Sequence, residues 1–284
     1  MVGAKLVLPG RNLDGKSVQG LIESECVTFT AAVPTIWLML FEYLEQSGKK
    51  LETLKSCVVG GSACPRFMME KFYEKYGVEV LHCWGMTETS PIGTINRPLP
   101  KHKDQNFAQR LDIAVKQGRP VYGVEIKIAD ENGITLPNNG KDFGNLWIRG
   151  PWICSGYLNI ENSETHGEDD WFLTGDVATI DPDGFMQITD RTKDVIKSGG
   201  EWISSIEIEN FAVGHSSVME AGVIGVFHPK WDERPLLILV KNENSEVTKE
   251  EILEFLKNKI ASWWMPDDVV FVDSLPHTAT GKIQ

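Results

Sequence analysis

The chain has no CxxC pair, no long apolar run, no surplus of basic residues, no internal repeat and no low-complexity tract, and each absence removes a class of protein. Its five cysteines, Cys26, Cys57, Cys64, Cys83 and Cys154, are scattered and odd in number. Neither a disulfide framework nor a zinc site is suggested, and a reducing, cytoplasmic location is expected. The most apolar stretch, residues 36–44, is interrupted by Glu42 and falls far short of the ~18 apolar residues a spanning helix needs. No signal-peptide pattern opens the chain, since Lys5 is followed by a short apolar run and then Pro9, Arg11 and Asp14. A formal net charge of -12 argues against a nucleic-acid partner, whose phosphates demand clustered Lys and Arg. What remains is 284 residues, 42% hydrophobic and 24% charged, a globular composition with room for two ordinary domains.

The first third alternates short apolar runs with amphipathic segments. Cys57-Val58-Val59 ends in Gly60-Gly61, and Pro65 opens a segment with Phe67, Met68, Phe72 and Tyr76 at helical spacing. Gly77 stands where a C-terminal cap belongs, and residues 78–81 read as a second strand. Strand, glycine turn, helix and strand together predict a mostly parallel sheet. Over residues 118–190 the texture changes to short strands separated by Asp130-Glu131-Asn132-Gly133, Asn138-Asn139-Gly140 and Asp181-Pro182-Asp183-Gly184, which predicts a largely antiparallel β unit. After Arg191, Ser204-Ser205-Ile206-Glu207 and Thr248-Lys249-Glu250-Glu251 read as capping boxes, the second opening a helix with Ile252, Phe255, Leu256 and Ile260 on one face. Strands are expected at 221–226 and 236–240. The fold class is therefore α/β plus α+β, with an α/β part at 1–117, a β-rich part at 118–192 and a small α+β domain at 193–284.

Three strings carry chemistry. Trp84-Gly85-Met86-Thr87-Glu88-Thr89-Ser90-Pro91 follows a predicted strand, the end at which open α/β sheets bind ligands. Its glycine admits a ligand to the backbone, its hydroxyls can donate to phosphate, its carboxylate can hold Mg²⁺ and its aromatic offers a face to a purine. Trp171-Phe172-Leu173-Thr174-Gly175-Asp176, with Asp190-Arg191-Thr192-Lys193-Asp194 beyond it, sets a carboxylate in a glycine turn, suited to two vicinal hydroxyls. The third is Pro276-His277-Thr278-Ala279-Thr280-Gly281-Lys282, whose lysine can be presented to an anion as a mobile charge. Taken singly, each residue also suits a plain role: a turn for Asp176, a surface ion pair for Arg191, a solvated side chain for Lys282.

In this order and spacing the strings resemble the adenylate-forming superfamily of acyl-CoA synthetases, peptide-synthetase adenylation domains and beetle luciferase. The resemblance covers nearly the whole chain. It includes Gly60-Gly61-Ser62-Ala63, similar to the family's adenine-facing loop, residues 144–157 (GNLWIRGPWICSGY) and Lys197-Ser198-Gly199-Gly200-Glu201. It implies that residues 1–192 are the C-terminal portion of a large AMP-binding domain and 193–284 a mobile lid hinged at Lys193. Trp84, with Gly85 and Met86, would lie at adenine, Thr87 at the α-phosphate and Glu88 at Mg²⁺. Asp176 would read ribose with Arg191 beside it. Lys282 would bridge the substrate carboxylate and the α-phosphate during adenylation. Rotation at Lys193 would then bring Lys197, Gly199, Gly200, Glu201 and Trp202 to the site, where the glycines leave room for the pantetheine arm of coenzyme A.

Residues 196–205 (IKSGGEWISS) and 228–235 (HPKWDERP) look like those of medium- and long-chain fatty acyl-CoA ligases and methylmercaptopropionate-CoA ligases. The implied activity is an ATP-dependent carboxylic acid:CoA ligase. Its expected partners are a small carboxylic acid, ATP, Mg²⁺ and coenzyme A, and a homodimer remains open. Val33, Pro34 and Trp37 would line the acyl pocket, although an apolar stripe at helical spacing equally suits plain core. Two features depart from the family pattern. Its Ser/Thr- and Gly-rich phosphate loop does not occur in these residues, the simplest reading being a partial chain, and Asn145 stands where an acidic residue is usual. The rival readings are a weakly nucleotide-binding fragment without activity and an acyl-AMP ligase that loads a carrier protein.

Overall fold

The computed structural model describes residues 3–160, 165–242 and 245–277. Helix α1 (Gly15–Ser24) starts where the Asp14 carboxylate accepts from the Ser17 amide at 2.9 Å. Strand β1 (Phe29–Ala32) leads into α2 (Pro34–Ser47), which has proline at its first turn and Gly48 in the left-handed conformation as its stop. Then come β2 (Ser56–Val59), α3 (Arg66–Tyr76), closed by Gly77 as expected, and β3 (Glu79–Trp84). Strands β4 (Thr94–Ile95) and β5 (Arg119–Pro120) flank α4 (Phe107–Ala114) and complete a sheet in the order β1-β2-β3-β4-β5. The first three strands pair in parallel and the last two antiparallel. Trp37, Leu40, Phe41, Met68 and Phe72 fill the core between this sheet and its helices.

A second sheet, β6 (Glu125–Ala129), β7 (Phe143–Arg149), β8 (Phe172–Ile180) and β9 (Met186–Arg191), is a purely antiparallel meander. Ile128, Leu146, Ala178 and Met186 point to its buried side, with Trp84 packed against them. The third sheet combines the hairpin β10 (Ile196–Ser198) and β11 (Glu201–Ile203) with β12 (Val218–His228), β13 (Asp232–Lys241) and β14 (Asp268–Val272). Helices α5 (Ser205–Ala212) and α6 (Lys249–Leu256) cover it around Ile208, Leu237, Leu239, Ile252 and Leu256.

Some local expectations shift. Strands β12 and β13 run to the tip of one long hairpin, well past 221–226 and 236–240. The Thr248 box forms fully, whereas Ser204 caps the Glu207 amide and Glu207 does not close its half of the box. Helix α6 stops at Leu256, since Lys257 is extended (ψ 134°) and Asn258 is left-handed (φ 66°). Ile260 is buried nonetheless, reaching the same core from beyond the helix end.

Candidate active site

The carboxyl end of β3, the first half of β8 and the end of β9 face one another across a cavity of about 420 Å³. Gly61, Ser62 and Ala63 form one wall, Trp84, Gly85 and Met86 a second, and Thr174, Gly175, Asp176, Arg191 and Lys193 a third. Strings distant in sequence thus converge on one hollow. Gly60 stands behind the first wall, where an added Cβ would sit 3.4 Å from the Cys83 carbonyl. Gly85 is required at its position: a Cβ there would lie 1.7 Å from the Pro91 carbonyl oxygen, so only glycine lets these two backbones pass.

Asp176 is held by its neighbours. Gly175 takes φ 77°, a turn that lets the Asp176 amide donate to Thr174 Oγ1 at 3.1 Å. The Trp84 indole Nε1–H donates to Asp176 Oδ2 at 2.8 Å, and Arg191 Nε lies 3.9 Å from Oδ1. Asp176 and Arg191 are register partners across β8 and β9.

Thr87 is exposed, and half-buried Glu88 stands just outside this hollow, on the short turn that follows β3. Thr89, buried inside the turn, accepts from the Met86 amide and donates to the Pro91 carbonyl at 2.6 Å, which fixes the loop. Tyr157 Oη donates to Glu88 Oε1 at 2.8 Å. Burial, reinforced by the Glu88 acceptor, pushes the Tyr157 phenol up to about 12, so it remains a donor at neutral pH. Among the described residues no cluster of three or more His, Cys, Asp or Glu could hold a metal. Glu88 alone suits Mg²⁺, which commonly takes one or two carboxylates and otherwise waters and substrate phosphates.

His82 on β3 is buried and neutral, its imidazole pushed down to about 4 by burial. Its Nδ1–H donates to the Val115 carbonyl at 2.9 Å and its Nε2 accepts from the Cys64 amide at 3.2 Å, which anchors the end of the Gly61–Ala63 wall. Gln117 lines the cavity and accepts from the Ile188 amide at 2.7 Å. Neither residue had a local sequence signal, because each acts through the backbone of a distant element.

The remaining predicted residues lie elsewhere. Val33 and Pro34 begin α2, and Trp37 is buried in the core edge-on to Phe72; none lines the cavity. Lys197, Gly199, Gly200, Glu201 and Trp202 form the β10–β11 hairpin, turned toward the β6–β9 sheet: Lys197 Nζ is 3.8 Å from Glu131 and the Trp202 ring 5.3 Å from Phe143. A Cβ on Gly199 would meet the Trp231 ring at 2.7 Å, while Gly200 has open space. Lys282 lies outside the described residues. Asn145 accepts from Thr192 Oγ1 at 3.1 Å, so a neutral acceptor meets the residue just before Lys193.

Backbone and side chains cross that point. Ser204 Oγ donates to the Thr189 carbonyl, and the Ser205 amide and hydroxyl donate to the Asp190 carboxylate at 2.7 and 3.2 Å. Asp190 is buried, and that burial pushes its carboxyl up to about 6. Glu209, accepting from the Val223 amide at 2.8 Å, is pushed up to about 8 by burial, with Asp190 and Asp194 adding to the shift.

Residues 1–158 match the AMP-binding enzyme family and residues 207–282 the AMP-binding enzyme C-terminal domain; the chain belongs to this family of adenylate-forming enzymes. It is 52% identical, over 100% of its length, to the 3-methylmercaptopropionyl-CoA ligase of Ruegeria lacuscaerulensis, covering 52% of that protein. It is likewise 52% identical to the medium-chain-fatty-acid–CoA ligase of Ectopseudomonas oleovorans, again covering 100% of this chain and 52% of that protein. Among solved structures, an anthranilate CoA ligase in complex with anthranoyl-AMP superposes with a TM-score of 0.86 at 28% identity, over 99% of this chain and 53% of that one. The chain thus spans about half the length of the curated relatives it matches. No helix among the described residues is long and apolar enough to cross a membrane.

Proposed function

We propose that this chain forms the nucleotide-reading and lid portions of an ATP-dependent carboxylic acid:CoA ligase, which makes acyl-AMP and then acyl-CoA. The observation that carries this reading is the convergence of Gly61–Ala63, Trp84–Met86, Asp176, Arg191 and Lys193 on one cavity. An aromatic face, a carboxylate for two hydroxyls and a backbone wall are what an adenosine needs. The chemistry sets two anions, a carboxylate and a phosphate, against each other, so catalysis depends on holding them close and offsetting charge on the phosphoryl oxygens. Lys282 is the residue proposed for that charge, Thr87 the hydroxyl for the α-phosphate and Glu88 the ligand for Mg²⁺, which would supply further charge compensation when bound. Lys193 is the proposed pivot that would withdraw Lys282 before a thiol attacks, with the Gly199-Gly200 hairpin as the route for coenzyme A. The two relatives, a 3-methylmercaptopropionyl-CoA ligase and a medium-chain-fatty-acid–CoA ligase, support a medium-chain fatty acid or methylmercaptopropionate as the acid. A cytoplasmic location fits five free cysteines.

The test is pyrophosphate release with ATP, Mg²⁺, coenzyme A and a panel of straight-chain acids plus methylmercaptopropionate. Release that depends on one acid class, with the matching acyl-CoA as product, supports the proposal. Acyl-AMP formed without any transfer to coenzyme A would replace it with carrier-protein loading.

A further inference from the structure

Trp84 does more than offer a ring. Its Nε1–H bonds the Asp176 carboxylate at 2.8 Å across 92 residues of sequence, joining the end of β3 to the middle of β8. The ring lies against the Gly93 backbone, where a Cβ would come within 2.4 Å of Trp84 Cζ3, and it packs beside Ile148, so its neighbours favour the orientation that makes the bond. Arg191, at 3.9 Å from Oδ1, is too distant to orient the carboxylate by hydrogen bonding and acts as a nearby charge. The Asp176 amide is tied to Thr174, which sets the backbone, and the indole N–H adds a direct bond to the carboxylate itself.

Resting on the nucleotide reading above, we infer that Trp84 is a specificity-determining positioning residue, whose indole N–H aims Asp176 at the vicinal diol of a ribonucleotide. Phenylalanine would keep an apolar face for the base and lose the donor. A tyrosine hydroxyl would sit at the far end of its ring rather than at the indole nitrogen. The tryptophan therefore couples the base platform to the sugar reader, and a change at the first should be felt at the second.

The experiment is calorimetric titration of the chain with AMP, 2′-deoxy-AMP and 3′-deoxy-AMP, for wild type and Trp84→Phe. Wild type should favour AMP about 10-fold or more, the scale of a hydrogen bond to a charged group. In Trp84→Phe the ratio should fall to about 2-fold, because AMP weakens by about 5-fold while the two deoxy ligands bind nearly as before. Equal weakening of all three ligands, with the ratio intact, overturns the inference and leaves Trp84 as a platform. No AMP binding to wild type sinks the nucleotide reading and this inference with it. Should Trp84→Phe fail to fold, hydrogen exchange of the Trp84 indole N–H in the intact chain decides. Asp176→Ala should speed that exchange at least ~10-fold, and an unchanged rate overturns the link.

Discussion

Tyr157 holds a site residue from outside the cavity. Its hydroxyl donates to Glu88, the proposed Mg²⁺ ligand, while its ring packs edge-on near His166 and Phe172. Tyr157→Phe should keep that packing and lose one charge-assisted bond, worth about 1.5 kcal/mol or more. The Mg²⁺ concentration for half-maximal adenylation should rise roughly 10-fold, with the melting temperature nearly unchanged; magnesium titration of pyrophosphate release checks this. A drop in activity at every magnesium level would instead mean that Tyr157 serves the fold. At this scale the sequence was informative where chemistry and backbone geometry coincide, as in Trp84-Gly85-Met86 and Gly175-Asp176. It was silent on His82 and Gln117, whose partners are main-chain groups of other elements, and on the Trp84–Asp176 bond, which depends on two sheets meeting.

Among the elements, α5 gathers two buried carboxyls. Its first amide binds Asp190 and its middle holds Glu209, both carboxyls raised by burial, to about 6 and about 8. A raised carboxyl favours its protonated form in the fold, so its stabilising contribution is complete below the unfolded value near 4 and is lost as pH rises through the folded one. Between pH 6 and 8 the Glu209 contribution should therefore decline, by on the order of 1 to 2 kcal/mol. Urea unfolding at the two pH values should show that loss in wild type and much less of it in Glu209→Gln, which keeps an acceptor for the Val223 amide. His82 opposes this trend only at the lower edge of the window, since a histidine lowered to about 4 recovers its contribution as pH rises through about 6.5, and it does so equally in wild type and Glu209→Gln. Element existence was legible from period and capping residues: Pro65 to Gly77 framed α3, and Thr248 with Glu251 opened α6. Element length was not. The outer halves of β12 and β13 carry exposed residues such as Phe227 that pair through their backbones, a bond that leaves no mark on side-chain pattern.

Across the whole molecule, the proposal divides work between a reader built from the first two sheets and a removable charge on Lys282. Lys282→Ala should lower adenylation by roughly 10² to 10³ fold, the usual loss with one preorganised donor, and spare thioester formation from supplied acyl-adenylate. Measuring the two half-reactions separately checks this, and equal loss in both would contradict a lid that carries Lys282 in and out. Any such swing about Lys193 must break or remake the bonds from Ser204 and Ser205 to Thr189 and Asp190, which span that pivot. Movement there is accordingly a step between discrete arrangements rather than a continuous drift.

Strand β9 places Asp190 and Arg191 back to back, one gripping α5 and the other facing Asp176. Because neighbours on a strand point to opposite sides, adding or deleting a single residue just upstream would interchange the grip and the reader. The turn at 181–184 sets the same register, its Asp181 carboxylate accepting from the Asp183 and Phe185 amides, so this short run is the ruler by which the two parts of the molecule are measured against each other.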